Sequence, residues 1–423
     1  MRRLPATSLL LTMMALATAC GSRSPASFTP GVAPIKVGIL HSRTGTMSLS
    51  ENSVAEAELL AIEQINQRGG LVLNGQRRRL VAIEEDGASE PKIFAAKAAQ
   101  LIDRDQVAVV FGGWTSSSRK AMAPVFEHRN KLLFYPVQFE GLECSRNIVY
   151  GGSTPNQQSE PAIKWLLSNK GTRFFLLGSD YVYPRSANQQ IRAQLQGRAQ
   201  ITGEHYVRLG EGNLEPVLDL IQRALPEGGV IINTLNGDSN VAFFKGLATR
   251  NMDRRRNLKV MSFSVSEEEV ASIGPKAMRG TYAAWSFFQS LPTAAAKRFN
   301  RDFQNTYGPH RVTNDPAEAA YSLVMLWAQA VQRAGSLQTD RVRQALIGLR
   351  YAAPQGDVTV EPNLHLRKRS LIGEVQANGE FRILRDFGVI KPLPWGSRPA
   401  GTATTVPRCD WRDPRPNDQA PQT

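Results

Sequence analysis

Metal and nucleophile chemistry has little to work with in this chain of 423 residues. None of its five histidines, His41, His128, His205, His310 and His365, is spaced as a zinc pair on one helix face. There is no G-x-S-x-G elbow, no P-loop and no G-x-G-x-x-G, which removes the commonest hydrolase, nucleotide and dinucleotide sites. Gly237-Asp238-Ser239-Asn240 approaches the nucleophile block of lipase-like hydrolases, but that block ends in Leu and follows the first strand of its domain, whereas this one follows a late strand. No catalytic residue, metal or cofactor is therefore expected. Beyond the first twenty residues no apolar run approaches the roughly 20 residues that a membrane-spanning helix needs.

What the chain does contain is ordinary for a globular protein, with 42% hydrophobic and 21% charged residues, and its length allows two sizeable cores. The start stands apart. Arg2 and Arg3 precede an apolar stretch from Leu9 to Ala19, which reads as a signal peptide over 1–19. Leu16-Ala17-Thr18-Ala19-Cys20 resembles a bacterial lipoprotein box with Ala17 in the place of the commoner Leu, so Cys20 is the expected lipidation site. A Ser/Pro-rich stretch over 20–34 reads as a flexible, lipid-anchored tether. Formal charge is +14, and taking away Arg2 and Arg3 leaves +12. The arginines are scattered at turns, as in Arg77-Arg78-Arg79, Arg254-Arg255-Arg256 and Arg367-Lys368-Arg369, so a solvated surface and no nucleic-acid partner is expected. Cys144 and Cys409 could form one disulfide in an oxidising compartment, although two cysteines so far apart in sequence say little about geometry.

Strand and helix signals alternate along most of the rest. Ile35 to Leu40, Leu80 to Glu84, Val107 to Phe111 and Leu132 to Tyr135 read as strands, with amphipathic helices between them. The pattern restarts after Thr154 with strands at Phe174 to Leu177, Ile201 to Val207, Val230 to Thr234 and Val260 to Phe263. The helix from Pro316 to Ala334 returns to the first lobe. Val358 to Val360, Ile372 to Gln376 and Phe381 to Ile383 then read as antiparallel strands, with Asn378-Gly379 as a hairpin turn. The expected fold is α/β, two doubly wound Rossmann-like lobes joined by a three-crossing hinge, with the ligand between the strand ends. The lobes are assigned to 35–153 with 285–350 and to 154–284 with 351–395, and 396–423 is expected to be a disordered tail.

The stretch Phe111 to Gly141 carries the strongest site signal. A strand ending at Gly112-Gly113 leads into a helix capped by Ser116, Ser117 or Ser118, and a second strand ends at Tyr135. Trp114, Thr115, Ser116, Tyr135 and Gln138 would then surround a helix N-terminus with free amides, a setting for a small, uncharged, polar ligand.

The blocks GILHSRTGTMS, GGWTSSSRK, FYPVQFEG, IVYGGSTPNQQ, GSDYVYPRSAN, NTLNGDSN, FSVSEEE and VTNDPAEAAY, in this order, resemble the substrate-binding component of bacterial urea transporters of the ABC type. That group is close to the short-chain amide sensors and belongs to the class I periplasmic binding proteins, which also serve branched-chain amino acids. The resemblance runs from about Ile35 to Trp395. It implies reversible capture of urea, a short amide or an amino acid in the cell envelope, with delivery to permease and ATPase subunits. It also implies that Tyr181, Tyr183, Asp238 and Glu267 of the second lobe join Trp114, Thr115, Ser116, Tyr135 and Gln138 of the first. Asp238 and Glu267 would accept the ligand's N–H groups, Ser116 would donate to its carbonyl, and no committed cation is expected in the site.

Overall fold

Strand β1 (Ile35–His41) is buried along nearly its whole length and sits inside a sheet rather than at its edge. The computed structural model describes residues 28–252, 257–396 and 409–412; the expected signal peptide and Cys20 lie outside them. β1 pairs with β4 (Leu80–Asp86) on one side and β5 (Val110–Gly112) on the other, and β6 (Leu133–Tyr135) and β7 (Ile148–Tyr150) continue the sheet, all in parallel. A parallel sheet needs helices on both faces. α1 (Ser48–Gln67) covers one face together with the helix Asp315–Ala334, in which Trp327 meets Phe111 edge-on at 5.8 Å. α2 (Pro91–Asp103) and α3 (Ser116–His128) lie together, and their buried Phe94, Leu101, Met122 and Phe126 share a core with Leu40, Val110 and Leu133.

Among the described residues, the second sheet has nine strands. Its parallel part runs through β9 (Gln200–Val207), β8 (Arg173–Ser179), β10 (Gly229–Thr234), β11 (Leu258–Ser262) and β12 (Tyr282–Trp285). The antiparallel strands β13 (Arg350–Ala353), β14 (Gly356–Val360), β15 (Leu366–Val375) and β16 (Phe381–Ile390) close its other side. The β15–β16 turn falls at the Asn378-Gly379 signal, where Gly379 takes the φ of +87° that a side chain would resist. The chain passes between sheets after β7, after β12 and before β13.

Two stretches read from sequence as loose are held in place. Residues 28–34, assigned to the tether, dock on the hairpin of β2 (Leu71–Leu73) and β3 (Gln76–Arg78). Thr29 N–H donates to Arg77 O at 3.0 Å, and Arg78 Nε donates to Ala33 O at 2.8 Å. In the tail, Cys409 is bonded to Cys144 and Trp411 is buried, so this part is not disordered. Trp411 packs on the large apolar core, and Gln344 Nε2 donates to its carbonyl. Disorder was expected from the Pro and polar content, but a disulfide and one large aromatic can anchor such a chain regardless of its composition.

Candidate functional site

The two sheets face each other through the loops that follow their strands, and the first of these is set by two glycines. At Gly112, φ is +142° and a Cβ would stand 1.9 Å from Leu40 O; Gly113, at φ +82°, donates its N–H to that same carbonyl at 2.9 Å. Only glycine lets the chain turn so close to β1. The turn delivers Trp114 and Thr115 to the start of α3. Thr115, not a serine, is the cap: its Oγ1 accepts from Ser118 N–H at 3.0 Å. The amides of Ser116 and Ser117, at the first two helical positions, then have no acceptor within the helix.

Ser116 and Arg119 lie one turn apart on the same face of α3. Ser116 Oγ donates to Glu140 Oε2 at 2.5 Å and accepts from Arg119 Nη1 at 3.1 Å. Arg119 is fully buried. Its Nε donates to Glu143 Oε1 at 2.9 Å, and its Nη2 donates to Glu143 Oε2 and Glu140 Oε1, both at 3.3 Å. Its planar end lies 4.8 Å from the Tyr135 ring centre and 4.6 Å from that of Phe139. Burial on its own pushes the Glu143 carboxyl up, but the Arg119 guanidinium outweighs it and, with Lys120, holds the group down at about 2. The site therefore contains a buried cation, which the sequence reading did not include, and two carboxylates occupy it.

Around this core stand the other expected residues of the first lobe. The Tyr135 hydroxyl donates to Trp114 O. Trp114 Nε1 crosses to the second lobe and donates to Asn236 Oδ1 at 3.2 Å. Gln138 also crosses: its Nε2 donates to Phe263 O at 2.9 Å and to Ser264 Oγ at 2.8 Å. Facing a carbonyl fixes that atom as the nitrogen, so the buried Oε1 points elsewhere, and it has no partner. From the second lobe, Tyr183 is buried beside Ser264 and Gln138, and burial pushes its hydroxyl pKa up. Half-buried Tyr181 adjoins it at 6.4 Å between ring centres and faces Tyr135, Glu140 and Arg119.

Three expectations need correction. Asp238 is exposed at the lobe margin, where its N–H donates to Thr46 Oγ1 at 3.4 Å, so it does not join the cluster. Glu267 is buried, but it turns to the crossing after β12, where it accepts from Gln289 N–H at 2.8 Å. Burial keeps its carboxyl well above the usual range, and Glu380 and Asp315 add to this. Thr115 is consumed as the helix cap. The residues missed were Arg119, Glu140 and Asn236. Arg119 and Glu140 stood inside the GGWTSSSRK and FYPVQFEG blocks, and Arg119 three places after Ser116 was a signal that the two share a face.

The lobes are closed on one another on both sides of this cluster. On one side Gln190 Nε2 donates to Glu140 O at 2.7 Å; on the other, Ser50 Oγ donates to Glu269 Oε1 at 2.7 Å. A concavity of about 480 Å³, lined by Phe244, Asn257, Leu258, Lys259, Arg279 and Thr281, lies at the opposite ends of the second-lobe strands, away from the interlobe cluster. Among the described residues, no group of His, Cys, Asp and Glu is placed to hold a metal ion, and no helix is long and apolar enough to cross a membrane.

Comparison with known proteins gives the same architecture. A family model described as the periplasmic binding protein domain matches residues 35–400. A solute-binding protein of an ABC transporter from Rhodopseudomonas palustris BisB5, solved with 3,4-dihydroxybenzoic acid, superposes with a TM-score of 0.74 at 21% identity, covering 85% of this chain and 98% of that one. Two curated relatives match more locally. One is an amino acid binding protein from Pseudomonas aeruginosa, 30% identical over 26% of this chain and 28% of its own length. The other, a Geobacillus stearothermophilus protein named limonene hydroxylase, is 26% identical over 32% of this chain and 24% of its own length. The matched stretches thus span about a quarter of each of these two proteins.

Proposed function

The chain belongs to the periplasmic binding protein domain family, and from that premise we propose that it is the substrate-binding lipoprotein of an ABC importer, taking up urea or a short-chain amide. The ligand is held between the lobes and passed to permease and ATPase subunits, with no bond made or broken. Cys20 tethers the protein in the cell envelope.

One observation carries the choice of ligand: Arg119 makes four hydrogen bonds, three to Glu140 and Glu143 and one to Ser116. An amino acid or a benzoate brings a carboxylate that needs a free cation, and this cation is taken. A neutral amide needs only what is left over. The Ser116 and Ser117 amides suit its carbonyl, and the unpartnered Gln138 Oε1 suits an N–H. Trp114, Tyr135, Tyr181 and Tyr183 wall off water. Asn236, already bonded to Trp114, ties the second lobe across the cleft.

Urea has four heavy atoms, and at a ceiling of about 1.5 kcal/mol per atom its binding energy is limited to roughly 6 kcal/mol, a Kd of tens of micromolar. Calorimetric titration with urea, acetamide, leucine and 3,4-dihydroxybenzoate tests the proposal, and saturable binding is expected for urea or acetamide alone. Tighter binding of leucine or the benzoate overturns the neutral-ligand reading. Membrane partitioning of wild type, lost in Cys20→Ser, checks the anchor.

A further inference from the structure

The loop 138–147 holds both carboxylates that grip Arg119, and it is fastened from several directions. Ser145 Oγ donates to Glu127 Oε1 on α3 at 2.6 Å, and Gln190 of the second lobe binds Glu140 O. After β16 the chain meets this loop at two described points. Leu142 N–H donates to Pro394 O at 2.7 Å, and Cys144 is joined to Cys409 with their Cα atoms 6.1 Å apart. Beyond Cys409, Trp411 is buried; its N–H donates to Pro362 O at 3.0 Å, and its carbonyl accepts from Gln344 Nε2 at 2.8 Å. The disulfide thus fastens the first lobe one residue in sequence from Glu143.

We propose that the Cys144–Cys409 disulfide is a positioning device for the ligand site: it fixes the 138–147 loop so that Glu143 and Glu140 hold Arg119, and through Arg119 the Ser116 end of α3, in binding geometry. This rests on the cleft being the ligand site. The path is short and direct: the disulfide at Cys144, the adjacent Glu143, its two bonds to Arg119, and the Arg119 bond to Ser116 Oγ. Glu143 also accepts from the Tyr150 hydroxyl at 2.9 Å and from Lys120 Nζ at 2.9 Å, so its place is set from α3 and β7 as well as from the disulfide. With that bond cut, the loop keeps its backbone ties but loses its covalent stop, and only side-chain hydrogen bonds are left to hold Glu143, at the surface end of the cluster, against water.

The test compares oxidised wild-type mature protein with Cys144→Ser/Cys409→Ser, and with wild type reduced by dithiothreitol and then reoxidised. Two quantities are read: urea and acetamide affinity by calorimetry, and the titration of the Glu143 carboxyl by carbon NMR. In the wild type, Arg119 and Lys120 hold this carboxyl down at about 2. Without the disulfide it is expected to move up toward the ordinary carboxyl value, affinity is expected to fall about ten-fold, and reoxidation is expected to restore both. If the double variant does not fold, the reduced wild type, checked by circular dichroism, serves in its place. A lower melting temperature with an unchanged Glu143 titration overturns the proposal and leaves the disulfide as a staple. If neither ligand binds oxidised wild type, the functional reading fails, and the Glu143 titration still decides the positioning role.

Discussion

Single side chains divide here by whether their partners are already taken. Gln138→Leu removes an unpartnered buried acceptor and two bonds to the second lobe, each hydrogen bond worth about 1 kcal/mol net and more where a buried partner is stranded. Urea affinity is expected to fall ten-fold or more by calorimetry, with the circular dichroism spectrum unchanged. Asp238→Ala, by contrast, should leave affinity within two-fold, because that side chain is exposed at the lobe margin. Arg119→Leu strands two carboxylates, which costs about 3–5 kcal/mol, so it is expected to lower the urea-unfolding midpoint as well as binding. Two buried charges set opposite pH limits. The Glu143 carboxyl is held below its ordinary value, so its stabilisation is complete above about 4.5 and drains away as pH falls toward 2. His41 lies 3.2 Å from Glu51 and 3.1 Å from Glu58; burial alone would lower its pKa, but the two carboxylates raise it to about 9. Its contribution is full below about 6.5 and is lost as pH rises through 9. Unfolding free energy measured between pH 6.5 and 9 should decline in wild type, and the decline should be smaller in His41→Gln, most clearly above pH 7.5.

At the level of elements, α3 shows what a sequence discloses and what it hides. The strand, the glycine turn, the helix and the next strand were all legible, because apolar periodicity and Gly-Gly act locally. The cap fell one residue earlier than the serines implied. Thr115→Ala is therefore expected to cost about 1 kcal/mol in stability with little change in urea affinity, measured by denaturant unfolding beside calorimetry. The role of Arg119 was hidden because its carboxylate partners lie 21 and 24 residues further on, beyond β6, and nothing in a charged SSSRK stretch separates a solvated arginine from a buried one. Asp238 and Glu267 were misjudged for a related reason. Both follow strand ends that face the cleft, but side-chain direction after a strand depends on the turn taken, and Glu267 turned toward Gln289. The strands β7, β12 and β13 escaped notice because, unlike β5 with its Gly-Gly stop, they are short segments with no turn or cap signal read beside them.

Across the whole molecule, lobe closure brings ionisable groups together. Burial raises Glu268 to about 7, with Glu269 and Glu56 adding to the rise and Arg311 opposing it; the neighbouring Glu269 accepts from Ser50 of the opposite lobe. Opening would return Glu268 to water, so closure takes up a proton. Affinity is expected to be greatest below about pH 4.5, the ordinary carboxyl value, and to weaken as pH rises from there through 7, a trend that titrations at pH 5.5 and 8 would read. Loss of the disulfide, which links positions 265 residues apart, should lower stability by roughly 2–5 kcal/mol in denaturant titrations. That linkage also has a consequence for the covalent graph of the chain. All described strands of the second sheet lie on the arc between Cys144 and Cys409, together with β7 and the helix Asp315–Ala334 of the first lobe, so the arc closes into a covalent ring. A protease that cuts once anywhere on that arc opens the ring without dividing the molecule. The nicked protein should run as one species on a denaturing gel without reductant and as two with it, and under native conditions both pieces stay in register to refold around the same cleft.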